Sequence, residues 1–146
     1  MLPFFEGIIA AIGALVIELS PPIFGLTLIE NSLLFLLLMA SVEEIVKYTF
    51  VYNHYLKSKN KEDILASAFF IGLGFALVDI FTKKLAYANI GFLPIVGILM
   101  IHLTTATLLG IFFRKITHKT LYFSLLLLGL NIALHLTYNL LVLLYQ

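Results

Sequence analysis

The chain has 146 residues, of which 62% are hydrophobic and 12% are charged, and its mean hydropathy is +1.08. Soluble domains carry about a quarter charged residues, so this composition excludes an ordinary water-soluble protein and indicates a membrane protein. The formal net charge of +1 gives no reason to expect a nucleic-acid partner, and the absence of cysteine excludes disulfides and thiolate chemistry.

Charged and turn-forming residues divide the chain into five apolar segments, close to the ~20 residues that a bilayer span requires. The first, at residues 4–19, lacks the cationic start of a secretory signal and is predicted to be a retained helix. It should end at Ser20-Pro21-Pro22, because proline interrupts helical hydrogen bonding. The piece at 23–30 either lies at the membrane interface or extends the next helix. The other segments follow at residues 32–56, 64–86, 92–113 and 121–145.

No segment alternates with the period of a strand, and no internal repeat is present. The predicted fold is therefore all-α: one domain over residues 1–146, a polytopic membrane bundle of about five transmembrane helices. The linkers at 57–63 and 114–119 hold six of the nine Lys and Arg residues. The positive-inside rule places both linkers and the N-terminus in the cytoplasm of a multi-pass cell-membrane protein, although Lys83 and Lys84 oppose this orientation.

Strong polar side chains interrupt four of the spans. A charged group near a helix centre costs about 2.5–3.5 kcal/mol, so these groups must face each other or a water-filled cavity. Helical rise places the ionisable ones about 18–24 Å from the cytoplasmic charges, within one slab roughly 6 Å thick. Such a cluster predicts a functional site at bilayer depth. Its candidate members are Glu43, Glu44 and Lys47 in the second segment, Asp79 in the third, His102 in the fourth, and Asn131, His135 and Asn139 in the fifth.

Helical spacing indicates which of these groups cooperate. Glu43 and Glu44 precede Lys47 by four and three residues, so the lysine can balance one glutamate. Two other sets share a helix face: Asn131, His135 and Asn139 form a polar stripe, and Ala68, Gly72, Ala76 and Asp79 form a small-residue ridge that lets a neighbouring helix approach closely.

These polar residues lie in motifs that resemble a known family. EEIVK at residues 43–47 resembles the EExxK signature of the PrsW-type membrane proteases, which are related to the CAAX-protease and bacteriocin-processing superfamily. GLGFA at 72–76 and HLTTA at 102–106 are similar to the second and third motifs, and HLTYN at 135–139 is similar to the closing HxxxN. The match covers residues 41–139. The family usually has a glutamate in its second motif, where this chain has Asp79. The chain is also short for the family, so flanking helices of the family are expected to be missing.

The resemblance implies hydrolysis of a peptide bond in or beside the bilayer, in a membrane-protein or membrane-anchored substrate. Related enzymes have been argued to depend either on glutamate or on zinc. A site without a cofactor is expected here, but zinc is not excluded, since two histidines and a carboxylate can bind it. The expected roles are water activation by Glu43 with His102, orientation by Glu44 with Lys47 offsetting its charge, and oxyanion donation by His135 and Asn139.

Two other functions remain open. A proton-coupled transporter also places Glu, His and Asp side chains in a midplane cavity, although no inverted repeat is present. A non-enzymatic membrane partner could keep the cluster for packing. Asp79 supports that last interpretation, because it precedes Lys83 by four residues and a simple ion pair would explain it.

Overall fold

The computed structural model describes residues 2–23, 32–58, 60, 62–86, 90–115 and 121–144. Within these residues the chain forms five helices and no strand, which confirms the predicted all-α bundle. The predicted piece at 23–30 lies, apart from Ile23, outside the described residues, as does Tyr145. The helices are α1 (Pro3–Ile23), α2 (Leu33–Lys57), α3 (Glu62–Ala86), α4 (Phe92–Lys115) and α5 (Leu121–Leu144).

Four of these helices are long and apolar enough to cross a membrane. The remaining helix, α2, is 25 residues long, but Glu43, Glu44 and Lys47 interrupt its apolar sequence. These three side chains are buried inside the bundle. The outer face of α2 is therefore apolar, and the helix has the length and the surface of a membrane helix. The candidate spans are Pro3–Ser20, Glu62–Ala86, Phe92–Lys115 and Tyr122–Leu144.

The second helix is central to the bundle. Among the described residues α2 contacts each of the other four helices, whereas α1 contacts neither α4 nor α5. The outer face of α2 exposes apolar side chains such as Leu33 and Ile45. The polar residues of the second segment are on the inner face of α2. They therefore lie where α2 packs against the other helices.

The first helix ends later than its sequence predicts. It continues through Pro21 and Pro22 to Ile23, so the predicted break after Leu19 was wrong. Proline at position 21 lacks the N–H that would bond the carbonyl of Ile17, and the Ser20 hydroxyl donates to that carbonyl oxygen instead, at 2.6 Å. The side-chain hydrogen bond satisfies the carbonyl group that proline leaves without its usual donor.

Small residues bring α3 close to two neighbours. A Cβ at Gly72 would lie 2.8 Å from both the Ala106 Cβ and the His102 carbonyl oxygen of α4, so only glycine permits this approach. This confirms the predicted small-residue ridge and sets the distance between α3 and α4 at the level of His102. On another face of α3, a Cβ at Gly74 would collide with the Phe4 carbonyl oxygen of α1.

Two buried apolar clusters hold the helices around the polar layer. One joins α2, α3 and α4 towards the ends of the bundle that carry the basic linkers, and the other joins α1 to α3. The polar layer thus has packed apolar side chains on two sides. The first cluster consists of Val51, Ile64, Ala68, Ile71, Leu109 and Phe113, and the second of Ala10, Ala11, Ala14 and Phe75.

Candidate functional site

Glu44 is the most heavily bonded member of the polar layer. Its Oε1 accepts hydrogen bonds from the Lys47 Nζ at 2.6 Å, the His135 Nδ1 at 2.8 Å and the Thr105 hydroxyl at 3.2 Å. The Glu44 and Lys47 side chains are fully buried, so they form a dry ion pair within one helix. The prediction that Lys47 balances one of the two glutamates is confirmed, and that glutamate is Glu44.

Thr105 and Asn131 support this ion pair from α4 and α5. The Lys47 Nζ donates to the Thr105 hydroxyl at 2.9 Å, and the Asn131 side chain donates to the Thr105 carbonyl oxygen at 3.0 Å. The Lys47 Nζ also lies 4.9 Å from the centre of the Phe75 ring, in cation–π geometry. Sequence reasoning gave Thr105 no role, although it follows His102 by three residues and so shares its helix face.

Glu43 faces both candidate histidines. Its Oε2 lies 3.7 Å from the Nε2 of His102 and 3.7 Å from the Nε2 of His135. All three residues are buried, and one candidate ligand atom from each lies within 4.8 Å of the other two. Three separate helices therefore bring a carboxylate and two imidazoles to one point, as the depth of these residues in the sequence predicts.

Two atoms at this point have no hydrogen-bond partner among the described residues. They are the Oε2 of Glu43 and the Nε2 of His135, whereas the His102 Nε2 that faces Glu43 also donates to Asp79. The Nδ1 of His135 donates to Glu44, so in the neutral ring the Nε2 presents a lone pair towards Glu43. Two acceptor atoms facing each other at 3.7 Å require a proton donor or a cation between them.

Asp79 contacts both the site and Lys83. Its Oδ2 accepts from the His102 Nε2 at 3.1 Å and from the Lys83 Nζ at 3.0 Å. The ion pair with Lys83, which the sequence offers as a purely structural explanation, is thus present. It does not account for Asp79 alone, because the same oxygen also orients a histidine of the cluster.

Asn139 is not part of the cluster. Its side chain is half-buried on α5, one turn beyond His135, and it makes no hydrogen bond within the described part of the chain. The neighbouring Tyr138 donates to the Pro94 carbonyl oxygen at 2.9 Å, which joins α5 to the start of α4. Of the eight candidate residues, the structure brings seven into one network of contacts, Asn131 through Thr105, and gives Asn139 no hydrogen bond to it. The other six are Glu43, Glu44, Lys47, Asp79, His102 and His135.

Glu18 of α1 belongs to the same region and was missed by sequence reasoning. It lines a cleft between α1, α2 and α3 whose wall also includes Glu43 and Asp79. The signal was available, since Glu18 is a carboxylate within an apolar span. The signal is weaker than that of a mid-span residue, because Glu18 lies near the predicted end of the span, at Leu19, where a charge can reach water.

The donor set at Glu43, His102 and His135 fits either of two occupants. A water molecule that hydrogen-bonds all three groups at about 2.8 Å is compatible with these separations. Tetrahedral zinc with bonds of about 2.0–2.1 Å has ligand atoms about 3.4 Å apart, so the separations of 3.7 Å would contract by a few tenths of an ångström. The His102 Nε2 would also have to lose the proton that it donates to Asp79. Either occupant would satisfy the unpaired atoms.

No protein-family model, no curated protein and no solved structure matches this chain.

Proposed function

We propose that this protein is a membrane-embedded peptidase that hydrolyses a peptide bond in or next to the bilayer. The observation that carries the proposal is the convergence of Glu43, His102 and His135 from three helices on one buried point, where the Glu43 Oε2 and the His135 Nε2 have no hydrogen-bond partner among the described residues. A carboxylate and two imidazoles at one point can hold a water molecule and move its proton. The motif resemblance to the PrsW-type proteases supports the same reaction class.

A purely structural role for the cluster is less well supported. An interhelical packing network gains stability by satisfying its own polar groups, as Glu44, Lys47 and Thr105 do here. The Oε2 of Glu43 and the Nε2 of His135 do the opposite, because neither has a partner among the described residues, and each such buried polar group costs about 1–3 kcal/mol. Such a cost is understandable where the groups serve an occupant that arrives with the reaction.

Each residue of the cluster then has a chemical task. Glu43 accepts a proton from the attacking water, which the His102 imidazole helps to hold. Asp79 orients His102 through its Nε2–H. Glu44, neutralised by Lys47, fixes the His135 ring through Nδ1. These fixed positions provide the preorganisation on which hydrolysis at a buried site depends.

The oxyanion role proposed for His135 and Asn139 requires a particular protonation state. With Nδ1–H bonded to Glu44, His135 donates from Nε2 only as the imidazolium. The proton that Glu43 removes from water can reach this Nε2, which lies 3.7 Å from the Glu43 Oε2. Asn139, one helical turn beyond His135 on α5, would be the second donor to the oxyanion.

The substrate class follows from the position of the site. The cluster lies between helices of membrane-spanning length, and a water-soluble polypeptide does not enter that layer. The proposed substrate is therefore a membrane protein or a membrane-anchored peptide, and the proposed location of the enzyme is the cell membrane.

Cleavage in a defined bilayer tests the proposal. The purified protein is reconstituted in liposomes with fluorescently labelled single-span peptides, and products are identified by mass spectrometry. We expect cleavage by the wild type and a loss of about 10²-fold or more in His102→Ala and His135→Ala. His54→Ala is the matched control, because His54 pairs with Glu6 and Ser67 away from the cluster. Ion flux without cleavage would instead favour the transporter.

Zinc dependence is a second candidate for the mechanism, favoured by the separations among Glu43, His102 and His135. A bound zinc would lower the pKa of its water and polarise the scissile carbonyl. We propose the metal-free form and expect full cleavage after dialysis against a chelator, with less than one zinc per chain by elemental analysis. Stoichiometric zinc, with activity lost to chelation and regained on adding zinc, would establish the metal form.

A further inference from the structure

A cleft leads from the surface of the bundle to Glu43. Helices α1, α2 and α3 form its walls, and Glu18, Asp79 and Thr82 lie along it. Glu18 and Thr82 both lie near the C-terminal ends of their helices, which end on the same side of the bundle if the chain crosses the membrane five times. The cleft thus joins one membrane boundary to the buried site.

The polar lining of this cleft is dominated by carboxylates. Glu18, Glu43 and Asp79 contribute to it, and the nearest cation, Lys83, is already bonded to Asp79 at 3.0 Å. The Oε1 of Glu18 and the Oε2 of Glu43 are buried atoms without a partner in the described chain. Glu43 is itself only 7% exposed, so an unsatisfied acceptor lies at the inner end of the cleft.

The remaining lining is apolar and narrow. Ala11 and Ala14 of α1 lie opposite Phe75 and Val78 of α3. A hydrated metal ion would gain nothing from such walls, since divalent ions require several oxygen ligands at close range. The charged end of a lysine or arginine side chain suits the mouth of this cleft, because it can reach the Glu18 carboxylate while its methylene stem packs on apolar side chains at the surface.

We infer that this cleft receives a lysine or arginine side chain of the substrate, next to the bond that is cleaved, and that Glu18 is the residue that selects it. The inference rests on the proposed peptidase function. A substrate span that lies beside α1 and α3 and carries a lysine or arginine near its end would present this side chain at the level of Glu18. Asp79 already holds Lys83, which leaves Glu18 as the carboxylate available to the incoming cation.

The charge preference of the cleft can be measured without any substrate. The chain has no cysteine, so Thr82→Cys supplies a single reporter thiol at the cleft. In detergent, cationic and anionic methanethiosulfonate reagents are compared by their rates of reaction with it. We expect the cationic reagent to react about tenfold faster or more, and Glu18→Gln to reduce this ratio about threefold or more.

The matched control is Glu6→Gln, a second carboxylate of α1, whose Oε2 contacts His54 away from the cleft. It should leave the ratio of rates unchanged. Equal rates for the two reagents, or a ratio that Glu18→Gln does not alter, would overturn the cation-selective cleft whether or not the protein is a peptidase.

Substrate selection is measured with two single-span peptides that differ only in lysine or norleucine beside the cleaved bond. We expect wild-type kcat/KM to favour lysine about tenfold, mainly through KM, and Glu18→Gln to lower kcat/KM for the lysine peptide to the value for the norleucine peptide. Equal cleavage of both peptides by the wild type would overturn the inference and leave the peptidase proposal standing. Cleavage of neither would overturn the peptidase proposal, and the thiol-labelling rates would still decide the charge preference.

Discussion

Glu43→Gln is expected to lower kcat/KM for peptide cleavage by about 10²- to 10⁴-fold, the range that general base catalysis contributes in enzymes. The substitution keeps the shape of the side chain and removes only its ability to take a proton. Since the Oε2 of Glu43 has no hydrogen-bond partner among the described residues, no stabilising bond is lost. The measurement is cleavage of a single-span peptide in liposomes. Thermal unfolding in detergent is recorded on the same protein preparations.

Glu6→Gln provides the control for this substitution, because it neutralises another carboxylate outside the cluster. We expect it to retain wild-type cleavage. Normal cleavage by Glu43→Gln would eliminate the proposed base. Lost cleavage together with a lost folded state would show instead that Glu43 holds the bundle together, which the absence of bonds to its Oε2 argues against.

Lys47→Met is expected to destabilise the protein by about 3–5 kcal/mol, the usual cost of removing one partner of a buried ion pair. The Glu44 carboxylate would remain at 0% exposure without its cation. Glu44→Gln combined with Lys47→Met should recover most of the loss, because a neutral amide oxygen can still accept from His135 and Thr105. Denaturant unfolding in detergent micelles, followed by circular dichroism, measures the difference.

Lys84→Met serves as the control for Lys47→Met, since Lys84 is exposed at the end of α3. Its removal should change the free energy of unfolding by about 0.5 kcal/mol or less. If Lys47→Met cost no more than this control, or if the double variant were as unstable as the single one, charge balance of Glu44 would not be the role of Lys47.

The short side chain of Asp79 allows one of its oxygens to bind two partners. The Oδ2 of Asp79 accepts hydrogen bonds from both the His102 Nε2 and the Lys83 Nζ. A glutamate at this position is one methylene longer and would carry its carboxylate further from the helix axis. The shorter side chain keeps the carboxylate between the histidine of α4 and the lysine one turn along α3. In the proposed peptidase, Asp79 is thus a positioning residue for His102.

Two features follow from the sequence alone. Hydropathy and the scarcity of charge determine that the chain folds as membrane-spanning helices, because a polypeptide in lipid must satisfy its backbone hydrogen bonds internally. Distances along each helix also determine the depth of Glu43, His102 and His135, since helical rise is constant. Both conclusions depend on local geometry and on the solvent, so they need no knowledge of which helices are neighbours.

Only the tertiary structure decided how the polar residues divide their roles. Adjacent glutamates on one helix point about 100° apart, and their partners depend on which neighbour lies on each side. Because glycine has no Cβ, α4 packs closely on α3 at Gly72, and α1 packs closely on α3 at Gly74. As a result of this packing, Glu44 contacts Lys47 and His135, and Glu43 lies between the two histidines. The same packing places Glu18 in the cleft. Helical periodicity determines which residues share a face of one helix. The packing of the helices determines which residues of a neighbouring helix contact this face.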